Sequence, residues 1–170
     1  MTAESAVATT QAFVISRTFN ASRQRIWQAF TEADRLKQWW GPKGFTMHTA
    51  KLDLKVGGGF LYGMTSPDGH EMWGRWTFRE IVAPEKLAFD ISFSDPEGGI
   101  TRHSMSPNWP AVMRSSMTLA EAEGKTTLTC RVVGWDVSDV ERKIFEDGFD
   151  SMNQGFNGTW DQLEDYLANA

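Results

Sequence analysis

The sequence predicts an α+β domain in which a curved antiparallel sheet wraps a long C-terminal helix around an apolar pocket. Three observations predict it. Apolar residues recur with a period of two through most of the stretch from 45 to 133, which is the spacing of half-buried strands. The period changes to helical spacing after Ser138. The chain also carries eight Trp, eleven Phe and eight Met among its 170 residues, more large and flexible apolar side chains than a plain core needs.

That length suits one domain with a sizeable core, assigned to residues 12–170 behind a flexible leader at 1–11. The hydrophobic fraction of 41% and charged fraction of 23% are those of a globular chain, so neither disorder nor membrane insertion is expected. A net charge of −5, with no Lys/Arg cluster, opposes nucleic-acid binding. Residues 1–11 lack the basic start and apolar run of a secretion signal, and the expected location is cytoplasmic. Cys130, in an alternating apolar stretch, reads as a small buried hydrophobe.

Taken in order, Phe13 to Phe19 alternate as a first strand, and Ser22 opens a short helix with Ile26, Trp27, Ala29 and Phe30 at helical spacing. Asp34 is the expected N-cap of a second short helix, stopped by Gly41-Pro42. Six strands should follow as a meander, punctuated by Gly57-Gly58-Gly59, Pro67-Asp68-Gly69, Ala83-Pro84-Glu85, Glu97-Gly98-Gly99 and Glu123-Gly124. The glycine run lacks dinucleotide-loop spacing and reads as a strand bend.

Ser66-Pro67-Asp68-Gly69-His70 suits a type I turn with glycine in the left-handed position, which would pair Phe60 with Trp76, Tyr62 with Gly74 and Met64 with Met72 on an inward face. Leu87, Phe89, Ile91 and Phe93, then Met113, Ser115, Met117 and Leu119, then Leu128, Cys130 and Val132 give later strands one apolar face each. Ser138-Asp139-Val140-Glu141 is a capping box that opens one long amphipathic helix. Gly148, Gly155 and Gly158 each weaken it by roughly 1 kcal/mol relative to alanine, which close packing against the sheet is expected to offset.

This order describes the helix-grip arrangement, and particular residues carry a closer resemblance. Phe19-Asn20-Ala21-Ser22 before a helix with Trp27, Trp39-Trp40-Gly41-Pro42-Lys43-Gly44-Phe45, and Asp53 before Val56-Gly57-Gly58 are three of its motifs. Glu80-Ile81-Val82-Ala83-Pro84-Glu85-Lys86-Leu87, Gly155-Phe156 and Trp160-Asp161-Gln162-Leu163 continue it. Over residues 13 to 168 the chain resembles the activator of heat-shock-protein-90 ATPase homologue 1-like family. The resemblance implies the larger START-like group of lipid-transfer domains, polyketide cyclases and plant allergens, which hold apolar ligands between sheet and helix. Thr101 to Pro110 departs from the family's motifs, and ligand choice is expected there.

The expected function is therefore binding of a hydrophobic small molecule, such as a lipid, polyketide or aromatic metabolite, without catalysis. Pocket candidates are Phe45, Phe60, Tyr62, Met64, Trp76, Phe78, Phe89, Phe93 and Met117 from the sheet and its approach, and Met152, Phe156 and Trp160 from the helix. Ser115, Asn153 and Tyr62 are candidates to orient a ligand by hydrogen bonds, and Trp39-Trp40 either caps the pocket mouth or plugs the core. No nucleophile elbow, zinc motif or phosphate loop occurs, so no catalytic residue, metal ligand or cofactor is assigned. Two alternatives stand beside binding. One is a cyclase- or hydrolase-like enzyme using His48, His103 or Tyr62 for proton transfer. The other, implied by the family's chaperone-activating relatives, is a chaperone-interacting module. Whether two copies pair is left open by the sequence.

Overall fold

The computed structural model describes residues 7–103 and 106–169. Strand β1 (Phe13–Phe19) leads into α1 (Arg23–Thr31) and α2 (Ala33–Trp39). The strands β2 (Thr46–Leu52), β3 (Gly59–Thr65), β4 (Glu71–Val82) and β5 (Lys86–Ser94) follow, then the two-residue β6 (Ile100–Thr101), β7 (Val112–Ala122) and β8 (Lys125–Trp135). The chain ends in α3 (Asp139–Asp147) and α4 (Phe149–Asn169).

All strands form one antiparallel sheet in the order β1-β8-β7-β5-β4-β3-β2, with β6 attached to β5. β1 thus returns beside β8 instead of pairing with its neighbour in sequence. The pairing shifts register at His48 in β2 and at Arg79 in β4, and such bulges bend a sheet and increase its twist. The concave face buries Phe60, Trp76, Phe78, Leu87, Phe89, Met117, Leu128 and Val132, while Ser16, Thr18, Arg114, Thr127 and Thr129 stand on the other face.

The helices close the concave face. Phe30 of α1 packs edge-on to Trp39 of α2 at 4.8 Å, and both meet Trp160 of α4, at 6.1 and 6.4 Å between ring centroids. Phe156 of α4 stacks on Phe13 at 5.5 Å. Trp160, Leu163 and Leu167 are buried, so the second half of α4 is the part that seals the core. No helix among the described residues is long and apolar enough to cross a membrane.

Four expectations change. The meander gains a seventh strand, the short β6, because Asp95 accepts the Glu97 and Gly99 N–H groups and folds the chain back on β5. The N-cap of α2 is Glu32, not Asp34: Glu32 is extended and serves at once as C-cap of α1 and N-cap of α2, so Asp34 falls in the first helical turn. Residues 8–11 were assigned to the leader, yet Thr10 is buried, its Oγ1 accepts from Gly134 N–H, and Ala8 accepts from Val137 N–H.

The C-terminal helix is two helices. Gly148 leaves helical geometry at φ −90°, ψ 8°, where its N–H bonds back to Phe145 and its carbonyl starts the α4 ladder at Met152. A Cβ there would stand 3.3 Å from Trp109, so the break lies where the segment before β7 crosses the helix. The capping box forms as expected: Ser138 Oγ accepts from Glu141 N–H at 3.1 Å and Glu141 Oε1 accepts from Ser138 N–H at 2.8 Å.

Ser138→Ala removes half of that box and should destabilise the protein by about 1 kcal/mol, lowering the thermal midpoint by about 2–4 °C. Circular dichroism melts of wild type, Ser138→Ala and Ser138→Asp check this, with the aspartate keeping most of the stability. An unchanged midpoint for the alanine variant would show that the cap contributes nothing.

Candidate functional site

The β3–β4 hairpin supplies the floor of the site. Gly69 has φ +91° and donates to the Ser66 carbonyl at 2.9 Å, while Ser66 N–H donates to the His70 carbonyl at 2.8 Å. This turn holds Phe60 opposite Trp76, Tyr62 opposite Gly74 and Met64 opposite Met72, the register read from the sequence. The Tyr62 ring lies across Gly74 so closely that a Cβ there would sit 2.5 Å from its hydroxyl. Tyr62, Met64 and Met72 are thereby turned to one end of the concave face, where Ile91 and Phe93 of β5 and Met113 of β7 join them.

Between this floor and α4 lies a cavity of about 520 Å³ that opens to solvent, lined almost wholly by apolar atoms. On α4 its wall comprises Met152, Gln154, Gly155, Phe156, Gly158 and Thr159. Added Cβ atoms on Gly155 and Gly158 would meet nothing within 4 Å. The two glycines were expected to admit close packing with the sheet; they face open space instead, and their missing side chains widen the cavity.

Two straps form the remaining walls. At the mouth, Trp40, Gly41, Pro42 and Lys43 line the cavity, anchored through the Gly41 carbonyl, which accepts from Gln162 Nε2 at 2.5 Å and Thr159 Oγ1 at 3.4 Å. Gly41 has φ +110°, and a Cβ there would stand 2.4 Å from Met64 Sδ, so only glycine fits. At the other end His103, Trp109 and Pro110 line the wall. Arg102 Nη1 donates to the Pro107 and Trp109 carbonyls at 3.3 and 3.4 Å and pairs with Glu141, fastening this strap to α3. Trp109 rests on Phe145 at 5.4 Å.

Burial pushes the Tyr62 phenol up to about 12, partly opposed by the indole N–H groups of Trp40 and Trp76 beside it, although Trp76 Nε1 makes no hydrogen bond of normal geometry. At neutral pH Tyr62 is therefore a proton donor and not a base. Burial likewise pushes the Cys130 thiol up to about 11, opposed by Ser115 Oγ at 3.4 Å, so it is no nucleophile. His103 packs edge-on to Phe93 at 5.0 Å. His48 sits outside the cavity at the β2 bulge, beside Glu71 at 3.2 Å and the Trp73 ring, and His70 is exposed in the hairpin turn. Among the described residues no cluster of His, Cys, Asp and Glu is arranged to hold a metal.

The structure divides the pocket candidates in two. Trp40, Tyr62, Met64, Phe93, Met152 and Phe156 stand on the cavity wall. Trp39, Phe60, Trp76, Phe78, Phe89, Met117 and Trp160 instead fill the core, where Trp76 stacks on Phe89 at 4.3 Å and meets Trp40 edge-on at 4.9 Å. Trp39 is the plug and Trp40 the cavity residue, with Trp39 Nε1 donating to the Ala29 carbonyl at 3.0 Å. Phe45 packs against the core away from the wall, Ser115 is sealed beside Cys130, and Asn153 is exposed beyond the cavity lining.

Met72, Ile91 and Met113 were missed as wall residues although strand alternation already put them on the inner face. Gly155 and Gly158, three residues apart on one helix face, were the stronger overlooked signal. The divergent segment from Thr101 to Pro110 does reach the cavity, with Ser104 and Met105 lying outside the described residues.

The model of the family described as activator of Hsp90 ATPase homologue 1-like protein matches residues 20–168. Among solved structures, a protein from Mycobacterium smegmatis is similar at 25% identity, with a TM-score of 0.72 over 93% of this chain and 91% of that one. A protein from Arthrobacter aurescens is similar at 28% identity and a TM-score of 0.74, over 94% and 87% of the two chains. One from Nitrosomonas europaea, at 22% identity and 0.72 over 93% and 94%, shares the fold. No curated protein matches the sequence.

The Arg102–Glu141 strap should be pH-dependent. Burial alone would raise the Glu141 carboxyl, but hydrogen bonds from Ser138 and Arg102 and the Arg102 charge outweigh it and hold the group below the usual carboxylate range. A lowered folded pKa means that the strap's stabilisation is present above the ordinary glutamate value of about 4.3 and lost as pH falls through the lower folded value. Glu141→Gln keeps the cap but removes the charge, so its stability deficit should be present at neutral pH and vanish in acid. Urea unfolding across that range checks it, and a deficit independent of pH would show that the charge plays no part.

Proposed function

The chain belongs to the activator of Hsp90 ATPase homologue 1-like family, and from that premise we propose that it binds a hydrophobic small molecule between its sheet and α4. The observation that carries this reading is the cavity itself: about 520 Å³, nearly all apolar, and within the size range of small-molecule sites. A ligand there removes its own apolar surface and that of Met72, Met113, Met152 and Phe156 from water. The methionines suit a ligand whose shape varies, because their unbranched side chains repack at little cost. Tyr62 and Thr159 offer hydroxyls to orient a polar group.

The unfilled space beside Gly155 and Gly158 also supports binding, since each glycine weakens α4 by about 1 kcal/mol relative to alanine and gains no contact in return. The protein is proposed to act as a binding module in the cytoplasm, where the single buried Cys130 stays a thiol. A second reading rests on His103 and Tyr62 both lining the cavity, where proton transfer to a bound substrate is chemically available. Turnover unaffected by His103→Ala and Tyr62→Phe would remove it.

Gly158→Leu separates ligand binding from stability. Leucine favours the helix by about 0.8 kcal/mol over glycine, while its side chain occupies the cavity. Titration with the neutral fluorophore N-phenyl-1-naphthylamine should saturate in wild type and weaken by about tenfold or more in the variant, with an equal or higher melting temperature. Unchanged affinity would mean that the probe does not enter this cavity, and no saturation in wild type would sink the binding reading.

A further inference from the structure

We propose that the ligand is an amphiphile with one anionic end, in its simplest form a monocarboxylate, whose charge sits at Lys43 while its apolar body lies between the hairpin and α4. This deepens the ligand-binding reading and rests on it.

The cavity wall is asymmetric in charge. Among the described residues that line it, Lys43 is the only Lys, Arg, Asp or Glu. It stands at the mouth, exposed, in the strap whose Gly41 carbonyl is held by Thr159 and Gln162. Lys43 has no carboxylate within ion-pair distance among the described residues, which it shares with Lys37, Lys51, Lys125 and Lys143, but of these lysines it alone lines the cavity. The ammonium of a lysine at such a rim stays in water while its four-carbon stem lies along apolar surface.

Complementarity then selects among ligands. A wholly neutral apolar molecule would leave the cation unused, and a cationic amphiphile would meet it as a like charge. A molecule charged at both ends would bury one charge against an apolar wall, which is costly without a partner. One apolar body with one anionic end satisfies both the interior and the rim. The overall charge of −5 does not oppose this, because at physiological salt the field of distant acids is screened over about 8 Å and the nearest charge dominates.

The test compares dodecanoate, 1-dodecanol and dodecylamine below their aggregation concentrations, followed by quenching of tryptophan fluorescence, since Trp40 and Trp109 line the cavity. Wild type should bind dodecanoate about fivefold more tightly than dodecanol, the scale of one partly exposed ion pair, and dodecylamine more weakly than either. Lys43→Ala should abolish the preference, Lys43→Glu should reverse it, and Lys43→Arg should keep it. High salt should shrink it in wild type. Equal affinity for dodecanoate and dodecanol, or a preference that survives Lys43→Ala, overturns the charge assignment and leaves the cavity reading standing. Failure of all three compounds to bind wild type overturns the cavity reading, and this proposal with it.

Discussion

A slip of β3 by one residue against β4 would turn Phe60, Tyr62 and Met64 away from the face they share with Trp76, because side chains alternate faces along a strand. The core, the cavity floor and the seating of Trp40 all depend on that register. The Ser66–His70 turn holds it with two backbone hydrogen bonds and a glycine in left-handed geometry. Gly74 adds a second constraint, since only a residue without Cβ leaves room for the Tyr62 ring.

With the register set, the concave face meets the helices unequally. At one end large side chains from the helices and the sheet interlock: Trp39 meets Trp160 at 6.4 Å, Trp76 stacks on Phe89 at 4.3 Å, and all four are buried. At the other end α4 offers Gly155 and Gly158 where a core would place leucines, and the sheet offers methionines. The same curved sheet thus makes a solid core where the helix is bulky and a cavity where it is bare. This is a difference in side-chain volume and not in backbone plan.

The straps at the two ends of the cavity are held by polar contacts across long sequence separations. Gly41 is fastened to α4 through its carbonyl, and Arg102 ties the segment before β7 to the capping glutamate of α3. Glu141 therefore serves two elements, closing the first turn of α3 and fixing the position of Trp109. The break at Gly148 belongs to the same corner, because Trp109 crosses the helix there.

Local patterns made much of this legible beforehand. Strand β1, the Ser22 and Ser138 caps, the hairpin register, the inner faces of β5, β7 and β8 and the burial of Cys130 all follow from periods and turn chemistry spanning a few residues. Family motifs from Phe19 to Leu163 pointed to the same architecture. What the sequence could not decide was which inward residues fill the core and which border empty space. Trp39 and Trp40 are adjacent and alike, yet one is a plug and the other a wall, because only the packing of α1, α2 and α4 determines where volume is left over. The helix break at Gly148 and the exclusion of Asn153 from the lining likewise depend on how distant segments cross. Those crossings are set by whole-chain packing, to which no local period is sensitive.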